Sequence, residues 1–497
     1  MAVPRSPFPA LADLLAAHAA DRPEAVALQF GDAWLRYGEL AARCERVAAR
    51  LHREWRVARG DRVAWLGANH PGQLVLLFAL ARIGAILLPL NFRLAPAEWD
   101  ALFSDCTPAH LVHDDAWAQA AHELGLRARV PVHAVETLDE EGDAVERDAP
   151  AFPAVGEGAD AVLLVYTSGT TSRPKAAVHT QANLLANMAI AADAQRMTPG
   201  DAVATMLPLF HVGGLCLQTL PALHVGARVI LHPRFAPEAA FDCFERERPT
   251  LTLQVPATMT ALVDHPRWPR ADLSSLRAVW AGSSLLPAPL VGAFHARGLP
   301  VCNVYGATET GPFSIALPPD QAISHAGSCG WPAPGVEVRL EHVQDGVGEL
   351  LVRAPNVVVR YWPDQPACDQ QGWFHTGDLA SRAADGSYTV AGRAKDLIVS
   401  GGENIHPAEI ENVLADHPAI AECAAFGVPD GQWGEVVAVA VVRKPGQAVS
   451  EEELTALLAG RLARFKLPRR WLWLEALPKT ALGKLQRQTL AEWARNL

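Results

Sequence analysis

A run of fifteen residues, Tyr166-Thr-Ser-Gly-Thr-Thr-Ser-Arg-Pro-Lys-Ala-Ala-Val-His-Thr180, follows the strand-like stretch Ala161-Val-Leu-Leu-Val165 and concentrates anion-binding chemistry in one turn. Thr167, Ser168, Thr170 and Thr171 bring four hydroxyls, Gly169 lets backbone N–H groups approach an oligophosphate, and Lys175 supplies a cation. A lysine about 4 Å from a phosphate oxygen contributes roughly 4 kcal/mol at an effective dielectric near 20, before desolvation is subtracted. Alone, such a Ser/Thr/Gly turn reads as an ordinary solvated loop. No Gly-x-x-x-x-Gly-Lys-Ser/Thr and no Gly-x-Gly-x-x-Gly occurs in the chain, so a nucleotide site here is neither a P-loop nor a dinucleotide fold.

The elements that must position these groups are legible from periodicity. Leu40, Cys44, Val47, Ala48 and Leu51 mark one face of a helix, and the strand-like Arg62-Val-Ala-Trp-Leu66 follows. Strand-like runs recur at 201–207, 227–231, 250–255 and 277–281, separated by helix-length stretches, which predicts a layered α/β fold with ligand groups at strand ends. The texture changes around Asp385-Gly386 and Gly392–Asp396. Beyond it a helix is expected from Pro407, burying Ile410, Val413 and Leu414, then an apolar strand over 435–442, a helix over 451–462 and a strand over 470–474: a small α+β unit. The apolar run Leu74–Leu90 is broken by Arg82, Gly84 and Pro89, and is expected to be a buried helix, a glycine turn and a short strand, not a membrane span.

Bulk properties narrow the function. At 497 residues several domains are expected. A net charge of −11 argues against nucleic acid and anionic membranes as partners, and the broken apolar run Leu74–Leu90 argues against stable membrane insertion. The eight cysteines are scattered without Cys-x-x-Cys or zinc-like spacing, and the amino terminus lacks the charged-then-apolar order of a signal peptide, so a cytoplasmic enzyme acting on small molecules is expected.

Six ordered stretches then carry a resemblance that covers essentially the whole chain: the phosphate loop, Leu207–Gly214, Asn303–Gly311, Gly372–Leu379, Gly392–Asp396 with Gly401–Ile410, and Pro478–Arg487. Together they resemble the AMP-forming adenylate synthetases, and among these the acyl-CoA synthetases for fatty and aromatic acids. The resemblance implies a large layered α/β amino-terminal domain over residues 1–393 with the adenylate-forming fold, and a smaller mobile α+β carboxy-terminal domain over residues 394–497. It also implies ATP, Mg²⁺ and coenzyme A as the co-reactants of a carboxylic acid, with a homodimer as the quaternary expectation. Such enzymes join a carboxylate to the α-phosphorus of ATP, release pyrophosphate, and let a thiol displace AMP from the mixed anhydride.

Residue by residue, the resemblance makes Glu309 the Mg²⁺ ligand, Thr308 a donor to the α-phosphate and Tyr305 the ring on adenine, with Gly282, Ser283 and Ser284 facing the base. Asp378 would accept the ribose hydroxyls and Arg393 would close on the same sugar. Lys484 would reach the reacting carboxylate and α-phosphate, while Lys395 stands at the hinge and Gly401 and Gly402 would meet the pantetheine arm. His211 through Leu215, with Ala281, Gly282, Ala307, Pro312 and Phe313, would form the acid pocket. No arginine or lysine falls in these stretches, so an uncharged tail is preferred over a second carboxylate. Family loops usually carry glycine where Ser172 and Ala176 stand. A positive φ at 172 would cost serine about 1 kcal/mol. An amino-acid adenylation domain would want an acidic residue where Phe210-His211 stands, which leaves carrier-protein loading, or a silent nucleotide-binding protein of the same fold, as the alternatives.

Overall fold

The computed structural model describes residues 4–140, 156–167, 175–282, 286–400, 403–431, 433–480 and 483–495. Two large mixed sheets form the body of the chain. In one, the strands Val26–Phe30, Arg228–Leu231, Ala202–Thr205, Leu251–Gln254, Ala278–Gly282 and Val301–Tyr305 are parallel neighbours, with short antiparallel strands closing both edges. In the other, His110–His113, Arg62–Leu66, Ile86–Pro89 and Ala161–Thr167 run parallel, and Lys175–Thr180 returns antiparallel. These are the expected β/α alternations, trimmed at their ends: the run at 201–207, for example, is a strand only over Ala202–Thr205. Parallel strands need both faces covered, and their residues are almost all buried, as in the fully buried Ala278–Gly282.

Helices fill the layers as their sequences require. Tyr37–Arg53 buries Leu40, Cys44, Val47, Ala48 and Leu51 on one face. Pro71–Ile83 is buried nearly all round, has proline in its first turn and stops at Gly84 with φ of +72°, so that Ile86–Pro89 can start at once. The expectation for Leu74–Leu90 therefore holds, and among the described residues no helix is long and apolar enough to cross a membrane.

An antiparallel four-stranded sheet, made of Glu337–Gln344, Val347–Arg353, Phe374–Arg382 and Tyr388–Arg393, follows the two large ones. No element is legible in this region from sequence, because the first of these strands exposes half its length, fully buries none of it and shows no apolar run. Residues 398–494 build two apolar clusters of their own around a sheet centred on Gly434–Arg443. Here the helix expected over 451–462 ends at Ala459: Gly460 lies next, a poor helix former, and Arg461 N–H bonds back to Leu458 O in a tighter, three-residue turn.

Candidate active site

Asp378 and Arg393 are brought together by strand register alone, since they are paired residues on neighbouring antiparallel strands. Arg393 Nε lies 3.0 Å from Asp378 Oδ1, and the Tyr305 hydroxyl donates to Oδ2 at 2.7 Å. Asp378 is buried, and burial raises its pKa against the opposing pull of Arg393, the Tyr305 hydroxyl and Lys484. Burial, with Asp378 beside it, holds the Tyr305 phenol well above its usual range, so this ring stays a hydrogen-bond donor.

Tyr305 ends the strand Val301–Tyr305, and a tight reversal follows it. A side chain at Gly306 would meet Pro312 O at 1.5 Å, so only glycine lets the chain double back here. The reversal carries a 3₁₀ turn, Thr308–Thr310, held by Ala307 N–H to Thr310 Oγ1 at 2.9 Å and by Asn356 Nδ2, which donates to Thr310 O at 2.8 Å and Phe313 O at 3.0 Å. Thr308 is buried within it. Glu309 is half-buried; its carbonyl accepts Val358 N–H at 2.8 Å and its Oε1 accepts the Tyr361 hydroxyl at 2.9 Å.

The phosphate-loop expectation is only partly described. Thr167 and Lys175 face each other as the last pair of an antiparallel ladder, with Thr167 Oγ1 donating to Lys175 O at 3.3 Å, and Lys175 Nζ stands 5.4 Å from the Tyr361 ring centroid. Ser168, Gly169, Thr170, Thr171 and Ser172 lie outside the described residues, as do Ser283, Ser284, Gly401 and Gly402. Ala176 pairs regularly with Tyr166 in that ladder and has no positive φ, so nothing in its backbone calls for the glycine usual in the family. Gly282 does need to be glycine, because a side chain there would meet Val304 O at 2.5 Å.

Lys484 comes from the carboxy-terminal unit, and the charges of Arg393, Glu309 and Asp378 act on it. Gly483 has φ of +79°, Thr480 N–H donates to Lys484 O at 2.7 Å, and Lys484 N–H donates to Thr480 Oγ1 at 3.2 Å, a reversal that throws the lysine outward. The lysine is open to water, yet desolvation, and after it Arg393, lowers its pKa, while Glu309 and Asp378 pull the other way. Lys395, in the turn Ala394–Asp396, adds a further cation within electrostatic reach.

His211 lies within reach of Lys484. Desolvation first, and the Lys484 charge second, push its pKa down to about 4. Its Nδ1 accepts Gly213 N–H at 3.0 Å, which leaves the proton of the neutral ring on Nε2. Glu309, Asp378, Arg393, Lys395, His211 and Lys484 are thus one electrostatic group, two acids among cations, suited to a polyanion that carries its own cation. Among the described residues no three His, Cys, Asp or Glu side chains cluster as a metal site. A carboxylate with one engaged oxygen fits an oxygen-preferring ion such as Mg²⁺, whose other ligands come from phosphate and water. Sequence reasoning missed Tyr361 and Asn356; both sit in a stretch, Asn356–Trp362, whose valines and aromatics look like plain core.

The sequence matches the AMP-binding enzyme family over residues 15–362 and the AMP-binding enzyme C-terminal domain over residues 409–484. The chain belongs to the AMP-binding enzyme family. It is similar to the indoleacetate–CoA ligase of Aromatoleum aromaticum, at 42% identity over 97% of this chain and 98% of the relative. It is also similar to a feruloyl-CoA synthase of an Amycolatopsis species, at 40% over 93% of this chain and 94% of the relative. Among solved structures, the o-succinylbenzoate CoA synthetase of Bacillus subtilis with its acyl-adenylate intermediate superposes with a TM-score of 0.88 at 31% identity, covering 97% of this chain and 98% of that one. The same synthetase has been solved with ATP and a magnesium ion.

Proposed function

We propose that this protein is an ATP-dependent, AMP-forming CoA ligase whose acid is an aromatic monocarboxylate, of the arylacetate or arylpropenoate kind. What supports the reading is that Glu309, Asp378 and Arg393 all act electrostatically on Lys484, although the lysine is next to Leu485, which packs in a separate apolar cluster. The names of the two most identical relatives above support an aromatic acid. Free cysteines, all buried or half-buried, support a reducing compartment, and we place the enzyme in the cytoplasm. A homodimer is proposed as its quaternary state.

Adenylation brings two anions together, and the chain's own groups lower that barrier by being fixed in advance. Asp378, itself oriented by Tyr305 and Arg393, offers carboxylate oxygens to the ribose hydroxyls. Lys175 meets the triphosphate at the mouth of its loop. Lys484 lies where negative charge gathers as the acid oxygen attacks the α-phosphorus and pyrophosphate leaves. The neutral His211 would offer its Nε2–H to the acid, a donor that adds no charge to an apolar pocket. Glu309 would hold Mg²⁺, which when bound neutralises phosphate charge. In the second step a thiol displaces AMP, and rotation at Lys395, at the proposed boundary between 393 and 394, would withdraw Lys484 and bring Gly401 and Gly402 to the incoming thiol's pantetheine arm.

Pyrophosphate and AMP release across arylacetates, hydroxycinnamates, benzoates and fatty acids, each with and without CoA, tests this. Acid-dependent release that turns over only with CoA, and that is fastest with an arylacetate or hydroxycinnamate, is expected. Faster turnover of long fatty acids would overturn the aromatic assignment. ATP binding without pyrophosphate release for every acid would overturn the activity.

A further inference from the structure

Tyr361 touches three parts of the site at once. Its hydroxyl donates to Glu309 Oε1 at 2.9 Å, and its ring carries the Lys175 ammonium at 5.4 Å from the centroid. Its backbone is paired with Ala177, and Trp362 N–H donates to Ala176 O at 2.9 Å, one residue beyond Lys175. The same segment also holds the Glu309 backbone through Val358 N–H. The stretch Asn356–Trp362 is therefore a strap that ties the glutamate turn to the strand leaving the phosphate loop.

A glutamate on a short turn rotates about three side-chain bonds, and ordering it for a ligand costs entropy. A neutral donor on Oε1 removes that freedom and leaves Oε2, which has no protein donor among the described residues, turned to other partners. A lysine or arginine in the same place would fix the carboxylate and also cancel its charge, and so compete with a divalent cation. A phenol does the first without the second. The aromatic face adds a weak hold on Lys175 by cation–π attraction, so that the cation-binding carboxylate and the phosphate-binding ammonium share one support.

We propose that Tyr361 is the positioning residue of the divalent-cation site: it fixes Glu309 through Oε1, leaving Oε2 for the ion that Glu309 would hold, and steadies Lys175, which would meet the triphosphate. This rests on the reading of Glu309 as the cation ligand. Tyr361→Phe keeps the ring and removes the hydroxyl. Mn²⁺ binding to the enzyme with a non-hydrolysable ATP analogue and no acid, followed by water-proton relaxation, reads the site without turnover.

For Tyr361→Phe the Mn²⁺ dissociation constant should rise about five- to twentyfold, with AMP affinity and melting temperature unchanged, and the Mg²⁺ needed for half-maximal pyrophosphate release should rise in step. Mn²⁺ affinity within twofold of wild type would overturn the proposal. So would an equal weakening of AMP binding, or a melting temperature lowered by more than about 5 °C, since either would assign the hydroxyl to the fold. Tyr361→Leu, which removes the ring as well, should further weaken metal-free binding of the analogue; no added loss would overturn the part concerning Lys175. Glu309→Gln separates the two readings. If it leaves Mn²⁺ affinity unchanged, the ligand assignment itself falls; if it weakens binding and Tyr361→Phe does not, only the role of Tyr361 falls.

Discussion

Removing the Lys484 ammonium should separate the two half-reactions. This lysine is attracted by Glu309 and Asp378 and repelled by Arg393 and Lys395, and desolvation is the largest influence on its pKa. Its side chain is nonetheless open to water, which screens part of what an anion beside the ammonium gains. At about 4 Å from an α-phosphate oxygen the attraction is roughly 4 kcal/mol at an effective dielectric near 20. Arg393 and Lys395 share the same anion, so a net contribution of about 2–4 kcal/mol is reasonable. At about 1.36 kcal/mol per decade this is a loss of about 30- to 900-fold in kcat/KM for adenylation by Lys484→Ala. The assay is pyrophosphate release from ATP and acid, run beside CoA thioester formation from preformed acyl adenylate. The second reaction should stay within about threefold of wild type. Equal losses in both, or a loss under tenfold in the first, would refute the placement of Lys484 at the reacting phosphate.

Two further outcomes follow from the same group of charges. Because the Lys484 pKa is lowered in the free enzyme and its charged form is the useful one, kcat/KM for ATP should fall as pH rises through that lowered value, below the ordinary lysine range. Lys484→Arg should move this alkaline limb upward, and an unmoved limb would assign it to another group. Asp378→Asn keeps the shape but loses the charge that Arg393 and the Tyr305 hydroxyl address. A charge-assisted hydrogen bond of about 1.5–3 kcal/mol gives a rise in KM for ATP of about 10- to 150-fold, and a change under threefold would count against the nucleoside role.

The sequence made some of this plain and hid the rest for physical reasons. Glu309, Asp378, Arg393 and Lys484 stand in polar, glycine-punctuated stretches, where an ionisable residue beside a tight turn signals a ligand. Gly306, Gly282 and Gly483 show why those stretches need glycine: two clash with backbone if given a side chain, and the third takes a positive φ. The parallel strands were visible because burial on both faces demands unbroken apolar runs. The antiparallel sheet of 337–393 was not, since its half-exposed strands mix charge with apolar residues. Tyr361 was hidden among valines and aromatics because its hydroxyl acquires meaning only when the strand Arg360–Tyr361 adds to Lys175–Thr180 and brings it to Glu309. No local pattern encodes that long-range pairing. The end of the helix at Ala459 shows a lesser failure, in which one glycine outweighed an amphipathic pattern that continued past it.

Acid-dependent exchange of labelled pyrophosphate into ATP tests the central claim most directly, because it requires the acyl adenylate to form reversibly on the enzyme before any thiol is present. Exchange that appears only when an aromatic acid is added, and that Lys484→Ala reduces in proportion to its loss of adenylation, is the expected result. Absence of exchange with ATP and acid both bound, or release of ADP and phosphate in place of AMP and pyrophosphate, would contradict it.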